Sequence, residues 1–246
     1  MNPKSIKGRL IGVGTGPGDP ELMTLKAVRA INEADVLAFF CKKGSSGNGR
    51  TIVDAHIRPG TIELPLVYPV TVETHKDEAD YKTPINDFFD RSAEEVAAYL
   101  DAGKTVAVLS EGDPLFYGSY MHLHVRLKDR YEVDVIAGVT AMSGCWSMTG
   151  LPLVQGDDIL TVLPGTLDEV ALAQRLGEDG GAVIMKVGRN LPKIRRAIAA
   201  AGKLDSAIYV ERGTMPNGLH LRLADKADDV APYFAIVLVP GWSTRP

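Results

Sequence analysis

Short apolar runs alternate along the chain with amphipathic stretches, and this alternation predicts strands alternating with helices. The first run, Leu10–Val13, is followed by glycines and Pro17, and Thr24 can then cap a helix that begins at Leu25. Four further runs with strand character lie at residues 35–40, 61–67, 105–110 and 132–137. Five strand candidates separated by helical segments predict a parallel sheet.

Three further helical segments are predicted between these strands. A short helix is expected near Ile52 to His56, after a glycine- and serine-rich stretch, and another near Tyr120 to Lys128. In "SAEEVAAYLDAG", Ser92 and Glu95 match a capping box, which predicts that the helix starts there and stops at Gly103.

The second half has a different rhythm, with strand candidates from Ile159, Ala182 and Ala207 and a closing pair at 219–223 and 234–239. The closing pair predicts a hairpin and therefore antiparallel pairing. We place a boundary near "AGVTA", giving domains at 1–137 and 138–246. The expected fold class is α/β, with a mainly parallel N-terminal sheet and a mixed C-terminal sheet.

Composition restricts the possible functions. The 246 residues are 45% hydrophobic and 24% charged, as in an ordinary globular enzyme, and the formal net charge is −4. Because basic residues are not in excess, general nucleic-acid binding is disfavoured. Only Cys41 and Cys145 are present, too few for a disulfide framework or a cysteine-rich zinc site, and no metal site is predicted. Neither a signal peptide nor a run of membrane-spanning length is visible, so we expect a cytoplasmic protein without membrane contact.

The loop "GVGTGPGDPELMT" after the first strand resembles a nucleotide-binding turn but fits neither common phosphate motif. Glycine is missing from the sixth position of the dinucleotide fingerprint, and no lysine precedes a serine or threonine. Asp19 would place a carboxylate where phosphate oxygens should lie. A nucleoside without phosphate, such as the sulfonium S-adenosylmethionine, meets no such penalty. The alternative is a strand-to-helix turn that needs glycine only for its backbone angles.

Two more loops follow strand ends, in "LSEGDPLFYGS" and "VIAGVTAMSG". Because ligands of open parallel sheets bind beyond the carboxyl ends of the strands, the three loops should converge there. Asp113 could accept hydrogen bonds from ribose hydroxyls or an ammonium group, and Thr140 could offer a hydroxyl. The alternatives are a turn carboxylate before Pro114 and a plain helix cap.

The motifs "VGTGPGDPELMTLKA", "EGDPLFYG" and "AGVTAMSGCWSMTGLPL", in this order, resemble the tetrapyrrole methylase family, the class III S-adenosylmethionine methyltransferases. "CKKGSSGNGRTIVD" and "YVERGTMPNG" resemble the branch that methylates carbon 20 of precorrin-2, giving precorrin-3A, in cobalamin biosynthesis. The resemblance implies two α/β domains with the cofactor in the cleft between them, and a homodimer.

The resemblance also implies a set of cofactor contacts, at Pro17, Glu111, Gly112, Asp113, Phe116, Thr140, Ala141, Val187, Arg212 and Tyr233. The chain departs from the family pattern twice in this set. Val187 stands where the family often carries methionine or leucine, and Arg212 where it often carries a small residue. The long Arg212 side chain can therefore face the substrate instead.

The implied reaction requires no covalent nucleophile, since an electron-rich carbon attacks the sulfonium methyl group and orientation supplies most of the rate. Glu111 or Tyr117 could assist loss of the proton from carbon 20. The carboxylate-rich substrate calls for cations, and the candidates are Lys42, Lys43, Arg50, Lys186, Arg189 and Arg212. For Lys42 and Lys43 a solvated charged loop is an equal alternative. The glycines from 44 to 49 suggest a lid or an idle linker.

Several other functions stay open on the sequence. Within the family these are the cobalt-factor II enzyme of the anaerobic route and the methylases of other ring positions. Outside it they are a nicotinamide or flavin oxidoreductase, disfavoured by the failed fingerprint, and a noncatalytic tetrapyrrole carrier, which has no use for cofactor loops.

Overall fold

A computed structural model describes residues 7–69 and 79–241 of the chain. The chain divides into two compact units, an N-terminal unit (Met1–Thr140) and a C-terminal unit (Ala141–Pro246). Each unit is built around its own five-stranded sheet. The domain limits 1–137 and 138–246 stay a prediction.

The N-terminal sheet is entirely parallel, as the alternating pattern predicts, and has the strand order β3-β2-β4-β1-β5. Its strands are β1 (Arg9–Gly14), β2 (Val36–Cys41), β3 (Ile62–Val67), β4 (Val106–Ser110) and β5 (Glu132–Ile136). Strands β1, β2 and β4 are almost completely buried, because helices cover both faces of the sheet. This burial explains why their sequences are continuous apolar runs.

Four α-helices lie in the described part of this unit: α1 (Leu25–Glu33), α2 (Asn48–Ile52), α3 (Ala79–Asp101) and α4 (Tyr120–Leu127). Helices α3 and α4 pack on one face of the sheet, and α1 packs on the other. The predicted cap of α1 is confirmed, since the Thr24 hydroxyl accepts a hydrogen bond from the Ala27 N–H at 3.1 Å.

Two helix predictions in this unit are wrong. Helix α3 does not begin at a capping box, because Ser92 lies inside it and is only 2% exposed. Phe88 and Phe89 continue the apolar face of α3 upstream of Ser92, and their burial outweighs the local cap signal. The helix expected near 52–56 is instead α2 followed by a 3₁₀ turn at Asp54–His56.

The C-terminal sheet is mixed, as predicted, with the order β6-β7-β10-β8-β9. Its strands are β6 (Leu160–Pro164), β7 (Gly181–Met185), β8 (Ile208–Glu211), β9 (Leu219–Arg222) and β10 (Ala235–Val239). Its helices are α5 (Ala141–Thr149), α6 (Glu169–Leu176) and α7 (Leu191–Ala200). Helices α6 and α7 pack on one face and α5 on the other.

The predicted hairpin between the two closing strands is wrong, although both strands pair in the antiparallel sense. Strand β10 lies between β7 and β8, and β9 pairs with the other side of β8. Burial explains the order, because every residue of β10 is buried whereas β9 is mostly exposed, as an edge strand must be. Within the described ranges, no helix is long and apolar enough to cross a membrane.

Candidate functional site

The structure brings together the three predicted loops of the N-terminal unit: the first loop (residues 14–24), the second loop (111–119) and the third loop (137–140). The Gly112 N–H donates to the Gly16 carbonyl at 2.7 Å. A Cβ on Gly138 would lie 2.0 Å from the Gly112 carbonyl oxygen, and one on Gly14 would lie 2.5 Å from the Gly138 nitrogen. Side chains at these positions would force the loops apart, so glycine is required by close backbone approach.

Asp113 joins the second loop to the third. Its Oδ1 accepts a hydrogen bond from the Leu115 N–H at 2.9 Å, which is the predicted turn role. Its Oδ2 accepts from the Gly138 N–H at 3.1 Å. Each carboxylate oxygen has a second lone pair, so these bonds leave acceptor capacity for a ligand.

The side chains of the first two loops suit a ligand without phosphate. Residues 111–119 contain two carboxylates and no lysine or arginine, and Leu115 and Tyr117 are exposed there. Phe116 and Tyr117 form an edge-to-face pair with ring centroids 4.9 Å apart. In the first loop, the Asp19 carboxylate accepts a hydrogen bond from the Glu21 N–H at 2.9 Å and so occupies the donor that an anion would need. These loops therefore fit a nucleoside bearing positive charge better than a pyrophosphate.

The remaining predicted contacts of these loops lie where their strands end. Pro17 is buried in the first loop. Thr140, half-buried, ends the third loop, and the half-buried Ala141 begins α5. Tyr117 has a φ of 55°, which is uncommon for a residue other than glycine. Such strain often occurs at functional sites.

Glu111 has an environment that sequence reasoning missed. Its carboxylate accepts hydrogen bonds from the backbone and side chain of Asn48 and from the Gly49 N–H, at the start of α2. The side chain keeps solvent-accessible surface, yet protein atoms crowd the carboxylate. This desolvation outweighs the hydrogen bonds and raises the pKa of Glu111 above its ordinary value.

The candidate cations of the segment 42–50 are not equivalent. Lys42 and Lys43 are exposed. The Arg50 guanidinium donates to both carboxylate oxygens of Glu63, at 2.7 and 3.0 Å, and to Asp54 at 2.5 Å. These bonds raise the pKa of Arg50 above its ordinary value. The Arg50 side chain is 19% exposed and is held by two carboxylates that are themselves exposed, Glu63 at 39% and Asp54 at 74%. Only the i, i+4 spacing of Arg50 and Asp54 could have indicated this from the sequence.

In the C-terminal unit, several predicted residues share one edge of the sheet. Because β10 runs antiparallel between β7 and β8, its amino end lies beside their carboxyl ends. Ala235 pairs with Glu211, and continuation of the β7 register places Lys186 on the other side of Ala235. Lys186 and Arg212, the residues that directly follow β7 and β8, therefore lie on either side of the amino end of β10. Tyr233 is exposed just before β10.

Left-handed backbone occurs at both cations of this edge, with φ of 57° at Lys186 and 46° at Arg212. The Asn190 side-chain amide donates to the Lys186 carbonyl at 2.9 Å and fixes the turn that carries the exposed Arg189. Val187 is fully buried in the hydrophobic core of this unit. Its side chain is therefore committed to packing, and a cofactor contact would have to use its backbone.

Comparison with known proteins identifies a family and several relatives of this chain. The family profile described as "Tetrapyrrole (Corrin/Porphyrin) Methylases" matches residues 9–226. A precorrin-2 C(20)-methyltransferase from a Sinorhizobium species is 69% identical over 97% of this chain and 98% of its own. A cobalt-precorrin-2 C(20)-methyltransferase from Salmonella typhimurium is 27% identical over 95% of this chain and 97% of its own.

Among solved structures, uroporphyrin-III C-methyltransferase from Thermus thermophilus, complexed with S-adenosyl homocysteine, superposes with a TM-score of 0.63 at 25% identity. The match covers 94% of this chain and 97% of that one. The profile match spans most of the sequence and the relatives are matched over nearly their whole length. The chain belongs to the tetrapyrrole (corrin/porphyrin) methylase family.

Proposed function

We propose that this protein transfers the methyl group of S-adenosylmethionine to carbon 20 of precorrin-2, giving precorrin-3A in cobalamin biosynthesis. The observation that carries the proposal is the 69% identity with a precorrin-2 C(20)-methyltransferase along nearly the entire chain. The identity with the cobalt-precorrin-2 enzyme is much lower, at 27%, and this difference favours the metal-free substrate over the cobalt form.

The three loops of the N-terminal unit hold the cofactor in this proposal, through Pro17, Gly112, Asp113, Phe116 and Thr140. When bound, S-adenosylmethionine supplies an electrophilic methyl group on a sulfonium. The carboxylates of the second loop suit its positive charge, and the absence of lysine and arginine from residues 111–119 removes the repulsion that a sulfonium would otherwise meet. Ala141, Val187 and Tyr233 are proposed as further contacts, whereas we assign Arg212, which stands where the family often carries a small residue, to the substrate.

The protein's contribution to the rate is orientation of the attacking carbon and exclusion of water, since no covalent step is needed. A proton must leave carbon 20 after methylation, and Glu111 or Tyr117 is proposed to assist its removal. Desolvation raises the pKa of Glu111, which makes its carboxylate a stronger base than an ordinary glutamate. Tyr117 is exposed on the same loop.

The substrate carries carboxylates around its rim, and we assign their binding to cations on both units. Lys186, Arg189 and Arg212 lie on one edge of the C-terminal sheet. Lys42, Lys43 and Arg50 are the candidates of the N-terminal unit. Among these, Arg50 is the weakest candidate, because Glu63 and Asp54 already accept hydrogen bonds from its Nε, Nη1 and Nη2 atoms.

The quaternary state and location are part of the same proposal. We propose a homodimer acting in the cytoplasm on a small tetrapyrrole, without nucleic acid. Both cysteines are buried free thiols, which suits a reducing compartment. Size-exclusion chromatography with light scattering tests the dimer.

The decisive experiment is incubation with methyl-labelled S-adenosylmethionine and either metal-free precorrin-2 or its cobalt form, followed by mass and carbon-site analysis of the product. Transfer to carbon 20 of the metal-free substrate is expected. Transfer to another carbon, or a preference for the cobalt form, contradicts the assignment. As a binding control, S-adenosylhomocysteine should raise the thermal midpoint whereas NAD and ATP should not.

A further inference from the structure

Glu211 and Arg212, at the end of β8, form a pair whose geometry differs from that of the other arginine clusters. Glu211 is largely buried, with a side-chain exposure of 13%, whereas Arg212 is 42% exposed. The Arg212 Nη1 lies 3.4 Å from the Glu211 Oε2. Charge-assisted bonds of this kind are usually about 2.7–2.9 Å long, so this one is weak. It orients the guanidinium toward Glu211 but leaves its other N–H donors available.

The carboxylate of Glu211 is itself held by a buried residue of the core. Tyr209, two residues earlier on the same face of β8, is fully buried and donates its hydroxyl to the Glu211 Oε1 at 2.6 Å. The Tyr209 ring is held in turn by Lys226, whose Nζ lies 4.7 Å from the ring centroid. One carboxylate oxygen is thus engaged by the core, and the other is left for Arg212.

The backbone of Arg212 is equally constrained. Its N–H donates to the Phe234 carbonyl at 2.8 Å, and its carbonyl accepts from the Met215 N–H at 2.9 Å. The next residue, Gly213, touches α5 so closely that an added Cβ would lie 2.5 Å from the Cys145 Sγ. These contacts hold Arg212 in a left-handed conformation that residues other than glycine seldom adopt.

Arg50 provides the contrast. Its Nε, Nη1 and Nη2 each donate to a carboxylate oxygen of Glu63 or Asp54, and its side chain is less than half as exposed as that of Arg212. Among the residues that the structure describes, no second carboxylate pairs with Arg212. An arginine has five N–H donors in a planar fork, so Arg212 retains donors for a bidentate carboxylate.

We propose that Glu211, anchored by Tyr209, is a positioning residue that orients the Arg212 guanidinium toward a rim carboxylate of the tetrapyrrole substrate. This inference rests on the proposed function and extends it by one residue pair. Glu211 acts through Arg212 and does not touch the cofactor. Loss of the Glu211 charge should therefore weaken substrate binding and leave both the chemical step and cofactor binding unchanged.

The test is a double-mutant cycle in the full-length protein, with KM for anaerobically prepared precorrin-2, kcat, and calorimetric affinity for S-adenosylhomocysteine as readouts. We expect Arg212→Met and Glu211→Gln each to raise KM about tenfold, the effect of losing about 1.4 kcal/mol. Both variants should keep kcat and S-adenosylhomocysteine affinity within about twofold. Tyr209→Phe should raise KM less, because the ring is retained and only the anchor of Glu211 is lost.

The decisive comparison is the double variant. If Glu211 acts through Arg212, adding Glu211→Gln to Arg212→Met should change KM no further. The matched control is the exposed pair Arg222 and Asp225, joined at 2.7 Å in the same unit. Asp225→Asn should leave all three readouts at wild-type values, which shows that loss of an acidic partner alone does not raise KM.

Each contrary outcome has a distinct meaning. An unchanged KM for Arg212→Met removes Arg212 from substrate binding and overturns this inference, while methyl transfer by the wild type can still stand. A raised KM for Arg212→Met with an unchanged KM for Glu211→Gln overturns the positioning role alone. Additive effects in the double variant, with a lowered thermal midpoint, show that Glu211 serves the fold.

Discussion

The bond between Asp113 and Gly138 predicts a specific loss of cofactor affinity. Asp113 accepts from two backbone N–H groups, those of Leu115 and Gly138, at 2.9 and 3.1 Å. In Asp113→Asn, one of these N–H groups must face an NH₂ group, whichever way the amide is turned. The variant therefore keeps the size of the side chain but loses one charge-assisted hydrogen bond.

The expected magnitude follows from that single bond. A hydrogen bond to a charged group contributes about 1.5–3 kcal/mol, and the half-buried position and 3.1 Å length of the Gly138 bond favour the lower end. If losing this bond disorders the third loop in the free variant, the cofactor must order that loop when it binds. A cost of about 1.4 kcal/mol then raises the dissociation constant about tenfold. The thermal midpoint should fall by about 3–6 °C for a loss near 1.5 kcal/mol.

Isothermal calorimetry with S-adenosylhomocysteine and differential scanning calorimetry measure the two quantities. The matched control is Asp168→Asn, because the Asp168 carboxylate also accepts a backbone N–H, that of Ala171 at 2.8 Å, and asparagine is an equally good helix cap. Asp113→Ala loses both bonds and should bind more weakly still. Wild-type affinity in Asp113→Asn, together with the expected fall in thermal midpoint, would refute the coupling between loop geometry and cofactor binding.

Three further predictions address other parts of the site. Desolvation by surrounding protein atoms raises the pKa of Glu111 in the folded protein, so its charged form costs stability as the pH rises from the ordinary glutamate pKa through the folded one; Glu111→Gln should gain thermal stability relative to the wild type over that rise while losing activity, and a pH-independent difference would contradict this. Gly138→Ala should abolish cofactor binding because its Cβ would strike backbone at 2.0 Å, whereas Gly49→Ala meets only ordinary contacts of 3.6 Å or more and should fold normally by circular dichroism. Arg50→Met should lower the thermal midpoint more than Arg189→Met does, because it leaves the carboxylate partners of Arg50 unpaired, and Arg189→Met should raise KM for precorrin-2 more; the reverse order would show that these ion pairs open to bind substrate.

The sequence predicts the N-terminal sheet well because its signals are local. Apolar runs such as Leu10–Val13 are long enough to identify buried strands, and Thr24 marks a helix start by its own hydrogen-bonding chemistry. Convergence of the three loops follows directly, since all strands of a parallel sheet end on the same edge. No long-range information was needed for either conclusion.

Where the predictions fail, a tertiary contact outweighs a local signal. Ser92 and Glu95 match a helix start, but Phe88 and Phe89 gain more by packing into the core as part of the same helix. The sequence already carried a sign of this, because the apolar face of α3 continues upstream of Ser92. Strand order in the C-terminal sheet has no such sign, since β10 enters between β7 and β8 only when all three strands are present.

The same contrast between local sequence signals and tertiary contacts applies to single residues of the candidate site. From the sequence, Arg50 and Arg212 are both candidates for binding a carboxylate, because the guanidinium group suits bidentate carboxylate capture. The structure separates them by what their guanidinium groups already bind. Arg50 pairs with Glu63 on β3, whereas Arg212, among the described residues, meets one oxygen of a single carboxylate, that of Glu211, which Tyr209 anchors. These partners are set by strand register and side-chain reach, which no residue pattern encodes. An arginine near a tetrapyrrole methylase site should therefore be judged by its remaining donors, and in this protein that criterion selects Arg212.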